Sequence, residues 1–214
     1  MEPDDVELRV LGCLIEKQRT TPDAYPLSVN ALRLACNQAT NRDPVLDLDE
    51  QTVREGLGRL RQRRWARLAS GSGNRAAKYR HLLDEALSLD PGELSVLAVL
   101  MLRGAQTPGE LNQRTERLHR FGALDEVEAT LERLTGRELV RRLERRPGQK
   151  EVRYVHLLGG DSEASESARE VATSPLGGQP PDPPDALAAR LDRLGLEIQQ
   201  LRDELAELAR RDQS

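Results

Sequence analysis

The hexapeptide KYRHLL at residues 78–83 recurs as RYVHLL at residues 153–158, and this pair decides the fold. Upstream, three apolar residues with helical spacing recur 74 residues later: Val53, Leu57 and Leu60 correspond to Val127, Leu131 and Leu134. Spacings of three and four are typical of the buried face of a helix. Such a repeat indicates two copies of one structural unit. We predict that each copy contains a helix followed by two strands, and that Gly/Asn-rich residues 71–74 form the first hairpin tip.

The first predicted helix of the first copy recurs 86 residues later, so that Leu8 corresponds to Leu94 and Leu14 to Leu100. The same offset places Thr21-Pro22 on Thr107-Pro108, so we expect a Thr-Pro turn after each first helix. The offset falls from 86 residues at the first helix to 74 or 75 at the third helix and the strands. This difference implies about eleven extra residues between the second and third helices of the first copy. In that copy we predict helices over 5–17, from Ser28 and over 49–63, then strands over 66–70 and 76–82. The second hairpin tip is predicted at 146–149.

Three helices followed by a hairpin is the winged variant of helix-turn-helix. We therefore predict a mainly α protein with small β-hairpin wings, in the α+β class. The predicted domains are winged helix 1 over residues 1–84, winged helix 2 over 85–158, a disordered linker over 159–185 and a coiled-coil helix over 186–211. The linker is rich in Pro, Gly and Ser, a composition that cannot bury a core.

The C-terminal helix carries a heptad seam with alternating spacings of four and three. Its members are Leu187, Leu191, Leu194, Ile198, Leu201, Leu205 and Leu208. We expect a weak homodimer through this seam. The alternative is a helix that docks on the winged domains of its own chain.

Composition excludes several classes of protein. Hydrophobic residues are 37% and charged residues 32% of the chain, and no apolar run approaches the ~20 residues that span a bilayer. The N-terminus is acidic where a signal peptide is basic, so we expect a soluble, cytoplasmic protein without a membrane partner. Two cysteines, Cys13 and Cys36, are too few for a disulfide scaffold, and we expect them to be buried.

Positive charge is concentrated in the first copy, although the whole chain has a net charge of -4 because of its acidic C-terminal tail. Residues 54–80 hold nine basic residues and one acidic residue. A DNA-binding winged helix lays its third helix in the major groove and its wing against phosphates. The candidate nucleic-acid-binding residues are Gln51, Thr52, Arg54, Arg59, Arg61, Arg63, Arg64, Arg75 and Lys78. We expect Arg54, Arg59, Arg75 and Lys78 to share one exposed face; the alternative is a solvated surface in an Arg-rich protein.

The third helix of the second copy begins with Asp125, Glu126 and Glu128, whose carboxylates would repel phosphate. A protein-contact role suits this helix better. A polar segment between the second and third helices of the first copy is a possible contact loop: Asn37, Gln38, Thr40, Asn41 and Arg42. The alternative is a turn whose side chains bond to local backbone.

We expect no enzymatic activity, no catalytic residue, no cofactor and no metal site, because no phosphate loop, zinc spacing or nucleophile motif is present. His81 and His156 recur at equivalent strand positions, as do Tyr79 and Tyr154. A residue that recurs in both copies is expected to support the fold.

The chain resembles the YceH-like family of bacterial proteins. The stretches that carry the resemblance are Tyr25–Asn30, Ala35–Gln38, Thr40–Arg42, Gly73–Arg75 and Leu102–Leu111. The resemblance implies a tandem winged-helix fold and supplies no catalytic residues. Two functions remain open: a nucleic-acid-binding, regulatory protein with double-stranded DNA as partner, or a scaffold whose winged helices dock other proteins.

Overall fold

Two sets of helices, each followed by a pair of short strands, make up the structure. This computed structural model describes residues 2–69, 77–144 and 151–159. The elements of the first copy are α1 Asp5–Thr20, a 3₁₀ helix Pro22–Ala24, β1 Leu27–Ser28, α2 Val29–Cys36, α3 Glu50–Gln62, β2 Ala66–Ala69 and β3 Lys78–His81. The remaining elements are α4 Leu83–Leu87, α5 Pro91–Arg103, α6 Pro108–Thr115, α7 Leu124–Gly136, β4 Val140–Arg142 and β5 Tyr154–His156. The predicted class, mainly α with small antiparallel sheets, is confirmed.

The hairpin strands of the two copies pair in the same register. Ala66 of β2 lies opposite His81 of β3, and Val140 of β4 lies opposite His156 of β5. Both pairs are antiparallel. The predicted hairpin tips, 71–74 and 146–149, lie outside the described residues.

The two recurring tyrosines occupy equivalent positions, as the repeat predicts. Tyr79 of β3 pairs with Leu27 of β1, and Tyr154 of β5 forms a β-bridge with Gln106. Leu27 precedes Ser28, the N-cap of α2, and Gln106 precedes Thr107, the N-cap of α6. Each tyrosine strand is therefore held beside the start of the second helix of its own copy.

The Thr-Pro pairs, in contrast, do not correspond, and that prediction was wrong. Thr21-Pro22 opens the 3₁₀ helix after α1, whereas Thr107 caps α6 and Pro108 is its first residue. Thr107 forms a capping box with Glu110, which fixes the start of α6 at that point. Its counterpart is Ser28, so the offset between the copies falls from 86 to 79 residues before the second helix. The extra length of the first copy is thus divided between two connections.

The core is aliphatic and continuous across the two copies. The predicted stripe of Val53, Leu57 and Leu60 is buried, as are Cys13 and Cys36. The central contact joins α1 to α5. At Gly12 of α1, an added Cβ would lie 2.9 Å from Leu102 Cγ of α5, so glycine permits the two helices to approach closely. The described residues up to Gly159 belong to one compact unit.

The remaining predictions concern the C-terminal part of the chain. The linker (from residue 160), the heptad seam from Leu187 to Leu208 and the coiled-coil helix all lie outside the described residues. Within the described part of the chain, no helix has the length and apolar character needed to cross a membrane.

Candidate functional site

Helix α3 carries five of the nine predicted binding residues, of which Gln51, Arg54 and Arg61 are exposed. Asp49 caps this helix by accepting a hydrogen bond from the Thr52 N–H at 2.7 Å. In the first half of α3, Arg54 pairs with Glu50, and Gln51 donates to Glu55 at 2.7 Å. Residues 50–56 therefore carry two carboxylates and one arginine, a net charge of -1. Gln51 and Arg54 both remain exposed to solvent.

Two of the predicted binding arginines, Arg59 and Arg63, are instead bound to α1. Arg59 contacts Asp4 Oδ2 at 2.7 Å and Glu7 Oε2 at 3.1 Å, and Arg63 Nε donates to Glu7 Oε1 at 2.8 Å. Burial alone would lower the pKa of Arg59, but the Glu7 and Asp4 carboxylates raise it. We call these four residues the first clamp. The prediction that Arg59 is part of one exposed basic face is wrong, because α3 presents this side to α1.

The acidic half of the clamp is the N-terminal capping box of α1. Asp4 accepts from the Glu7 N–H at 2.8 Å, and Glu7 accepts from the Asp4 N–H at 3.2 Å. The Glu7 side chain is only 2% exposed. A buried carboxylate requires a charged partner, and the two arginines supply it. The clamp thus joins the start of α1 to the second half of α3.

The second copy contains the same clamp at equivalent positions, which we call the second clamp. Asp90 and Glu93 form the capping box of α5. Arg133 contacts Asp90 at 3.1 Å, and Arg137 contacts Glu93 at 3.1 Å. Burial alone would raise the pKa of Asp90, but the Glu93 N–H and Arg133 lower it. Neither clamp was predicted from the sequence, although both copies share the pattern Asp-x-x-Glu, at 4–7 and 90–93, and a pair of arginines, at 59/63 and 133/137.

Three other arginines of the first copy do not recur. The positions equivalent to Arg54, Arg61 and Arg64 are occupied by Glu128, Thr135 and Glu138. All three arginines are exposed. Among the described residues, Arg61 and Arg64 form no ion pair. These positive charges therefore belong to the first copy alone and are not required by the shared fold.

Arg61 and Arg64 line an open groove beside the edge strand β2. The groove has a volume of about 650 Å³. Its lining, which we call the α3 groove, comprises Gly58, Arg61, Gln62, Arg64, Ala66, Arg67, Leu68 and Leu82. Arg67 is a third exposed cation here, and Leu68 is 44% exposed. The groove combines positive charge with a small apolar patch.

Two of the predicted binding residues, Lys78 and Arg75, were assigned to the first hairpin. Lys78 lies on β3 and is half-buried. Arg75 lies outside the described residues. Lys78 pairs with Ala69 of β2, the strand that lines the α3 groove, so Lys78 lies on the strand next to the groove.

The predicted contact loop is held mainly by its own side chains. The Asn37 amide donates to Leu48 O at 2.8 Å and accepts from Leu48 N at 2.9 Å, as a neighbouring strand would. Arg42 is buried and binds both oxygens of Glu16, at 3.0 and 2.6 Å. Burial alone would lower the pKa of Arg42, but Glu16 raises it. Arg42 also donates to the backbone oxygens of Ala35 and Asn41, at 3.0 and 2.8 Å. Asn37 and Arg42 therefore fit the alternative of a turn bonded to nearby backbone, with Glu16 of α1 as a further partner of Arg42.

Three other loop residues, Gln38, Thr40 and Asn41, line a second cleft between the two copies. Thr40 and Asn41 are exposed, and Asn41 accepts a hydrogen bond from Arg103 of α5. Gln38 accepts from Arg42 at 3.0 Å. This part of the loop remains open to a ligand.

His81 has the fold-level role that its recurrence predicts. Its Nε2 lies 2.6 Å from Gln18 Oε1 of α1, and its backbone N–H donates to the Tyr25 hydroxyl at 2.9 Å. Burial lowers the pKa of His81 to about 4, against an opposing effect of Asp84. The neutral ring with hydrogen on Nε2 fits this contact.

Comparison with known proteins identifies the family. The family model described as "Protein of unknown function, DUF480" matches residues 4–149. The chain belongs to this family. The DUF480 match covers both clamps, the α3 groove and the contact loop.

Related proteins support the same assignment. A UPF0502 protein of Citrifermentans bemidjiense is 54% identical over 78% of this chain and 79% of its own length. A UPF0502 protein of Enterobacter sp. is 46% identical over 94% of both chains. The UPF0502 protein YceH of Salmonella paratyphi A is 44% identical, again over 94% of both chains. The resemblance to the YceH-like family is confirmed.

Proposed function

We propose that this DUF480 protein is a non-enzymatic, cytoplasmic tandem winged-helix protein that binds duplex DNA through the first copy. The repeated order of three helices and two hairpin strands supports the winged-helix interpretation, because that order is the same as in DNA-binding winged helices. The presence of two copies permits one to bind nucleic acid while the other has a different role.

The observation that carries the proposal is the difference between recurring and non-recurring arginines. Arg59 and Arg63 recur and form the first clamp, whereas Arg61 and Arg64 are exposed and are replaced by Thr135 and Glu138. An exposed arginine that the fold does not need is available for a phosphate.

The geometry favours backbone contacts at one end of α3 and base contacts at the other. Arg61, Arg64 and Arg67 line the α3 groove and would bind phosphates, which position a protein on DNA. Gln51 and Arg54 are exposed near the start of α3 and have the side chains that pair with base edges. Lys78 on β3 would add a phosphate contact from the hairpin.

The test is the affinity for mixed-sequence duplex DNA over a range of salt concentrations. Arg61→Gln/Arg64→Gln should weaken binding and reduce the steepness of the salt dependence by about 2, since each lost phosphate contact reduces it by about 1. The control Arg19→Gln/Arg120→Gln removes equal charge from exposed positions elsewhere and should match the wild type. An unchanged affinity and slope in the first variant would contradict the proposal.

A protein-docking role is the second candidate, and α7 favours it. Its outer surface presents the exposed acidic residues Asp125, Glu128 and Glu132, and Leu124 is 42% exposed. Acidic residues beside an exposed leucine suit a basic, partly apolar protein surface better than DNA. If the wild type fails to bind duplex DNA even at low salt, where non-specific affinity is greatest, docking becomes the better account for both copies.

We also propose a weak homodimer through the heptad seam. Sedimentation of the full chain should show a mass that rises with concentration, and Ile198→Asp should abolish the rise, because a charge in the seam opposes its burial. A monomeric mass for the wild type across micromolar concentrations would contradict the dimer.

A further inference from the structure

A cleft with a volume of about 790 Å³ lies where the two copies meet. The end of α1 and loop residues 38–41 line it from the first copy, and the end of α5 and residues 113–118 line it from the second. The volume falls within the roughly 300–1,000 Å³ of small-molecule sites. It is separate from the α3 groove, since the two share no lining residue.

Four cations line this inter-copy cleft: Lys17, Arg103, Arg114 and Arg117. Of the two acidic residues in the lining, Glu16 is bound on both oxygens by the buried Arg42 and also lies 3.7 Å from Lys17 Nζ. The other, Glu116, is exposed. The positive charges therefore exceed the available carboxylates.

Lys17, Arg103 and Arg114 are partly withdrawn from water, whereas Arg117 is exposed. Burial lowers the pKa of Arg103, and the charge of Arg114 lowers it further. Arg114 shares its carboxylate partner, Glu110, with Arg153: the two pairs have N–O distances of 3.2 and 3.6 Å. The Lys17 side chain is only 19% exposed. Like charges held together at reduced hydration favour the binding of an anion.

The floor of the cleft is apolar. Val99 and Leu102 of α5 are at most 4% exposed, Leu118 is half-buried, and the exposed Ala39 adds a methyl group from the loop. The hydroxyl-bearing residues Thr20 and Thr40 stand at the same cleft. An ion alone would leave the apolar part uncovered, whereas an organic molecule with a charged group would cover both parts.

We propose that the inter-copy cleft binds a small phosphate-bearing organic molecule, with Arg103, Arg114 and Arg117 on the phosphate and Val99 and Leu102 against the organic part. Arginine forks suit phosphate oxygens, to which they donate in pairs. The bound molecule would contact both copies and so hold them in one arrangement. This proposal does not depend on DNA binding by the α3 groove.

The test is isothermal titration of the full chain with inorganic pyrophosphate and with ADP at constant ionic strength. We expect saturable, one-to-one binding of both, and tighter binding of ADP because its nucleoside can cover the apolar floor. Absence of saturable binding of both probes at millimolar concentrations would overturn the proposal. ADP binding no tighter than that of pyrophosphate would overturn the part that assigns an organic ligand.

Two variants test whether ADP binds in the inter-copy cleft. Arg103→Gln/Arg114→Gln should weaken ADP binding at least tenfold, whereas Arg19→Gln/Arg120→Gln, outside the cleft, should leave it unchanged. Ala39→Trp keeps every charge and fills the cleft from an exposed loop position, so it should weaken binding by a similar factor. This second variant decides the question if the arginine variant does not fold. Wild-type affinity in Ala39→Trp would overturn the assignment.

Nucleic acid is the other source of phosphate. Ala39→Trp should leave the affinity for duplex DNA unchanged, because the α3 groove is a different surface. If the variant lost affinity for duplex DNA as much as for ADP, the cleft would belong to a nucleic-acid surface and the small-molecule proposal would be wrong.

Discussion

The substitution Glu7→Gln tests the first clamp directly. The Glu7 side chain is 2% exposed, and its oxygens accept from Arg59 at 3.1 Å, Arg63 at 2.8 Å and the Asp4 N–H at 3.2 Å. Glutamine retains one acceptor oxygen but directs an NH₂ group toward a donor. It also removes the negative charge that both arginines neutralise. The variant should therefore be folded but less stable.

The magnitude follows from the number of bonds lost. A hydrogen bond to a charged group contributes about 1.5–3 kcal/mol net, and Glu7→Gln loses one such bond outright. The side chains of Arg59 and Arg63 are 34% and 22% exposed, so hydrogen bonds to water offset part of the lost interaction energy. We expect the free energy of unfolding to fall by about 2 kcal/mol, which corresponds to a drop in Tm of about 4–8 °C for a chain of this size.

The assay is urea unfolding followed by circular dichroism and by the fluorescence of Trp65, the single tryptophan. Glu93→Gln in the second clamp should cost a similar amount, because its partners are equivalent. Glu128→Gln, on the exposed face of α7, is the matched control and should stay within about 0.5 kcal/mol of the wild type. If both clamp variants were as stable as this control, the reasoning on the clamps would be refuted.

Three further predictions concern the fold. Gly12→Val should destabilise the protein by about 1–3 kcal/mol, since a Cβ has no room against α5; unchanged urea unfolding would contradict this. Asn37→Ala removes both bonds to Leu48 and should cost about 1–3 kcal/mol in the same assay, whereas the exposed control Asn30→Ala should cost about 0.5 kcal/mol or less. His81 is neutral in the folded protein down to pH about 4 but takes up a proton near pH 6.5 when unfolded, so stability should be lost as pH falls through this window, by about 3 kcal/mol. His81→Gln should flatten that part of the pH profile, and an equal slope in wild type and variant would count against the assignment.

The repeat made the fold class predictable from the sequence, because the recurring apolar spacing marks buried helix faces and the recurring Tyr and His residues mark equivalent strand positions. Ser28 was predicted to start the second helix because serine is a favoured N-cap residue. The register error at Thr107 arose because a Thr-Pro pair suits two local structures: the entry to a 3₁₀ helix and the start of an α-helix. Only the capping box with Glu110 distinguishes them, and that signal is three residues away.

The candidate site was harder to predict, since an arginine looks the same in sequence whether it faces solvent or a neighbouring helix. Arg59 and Arg61 are two residues apart, but α3 directs the first toward α1 and the second toward the α3 groove. The buried Arg42 was likewise included in the possible contact loop, because its partner Glu16 lies far away in sequence. Comparing equivalent positions in the two copies separates the arginines of the clamps from those of the surface.

The measurement that tests this separation most directly is the affinity of Arg61→Gln and Arg63→Gln for duplex DNA. Both would be measured at one low salt concentration and at a temperature where both variants are folded. The two substitutions remove the same charge from neighbouring positions at the end of α3. Arg61→Gln should weaken DNA binding and leave the free energy of unfolding unchanged, whereas Arg63→Gln should lower the free energy of unfolding and leave DNA affinity unchanged. Equal losses of DNA affinity in the two variants, or none in Arg61→Gln, would contradict the account.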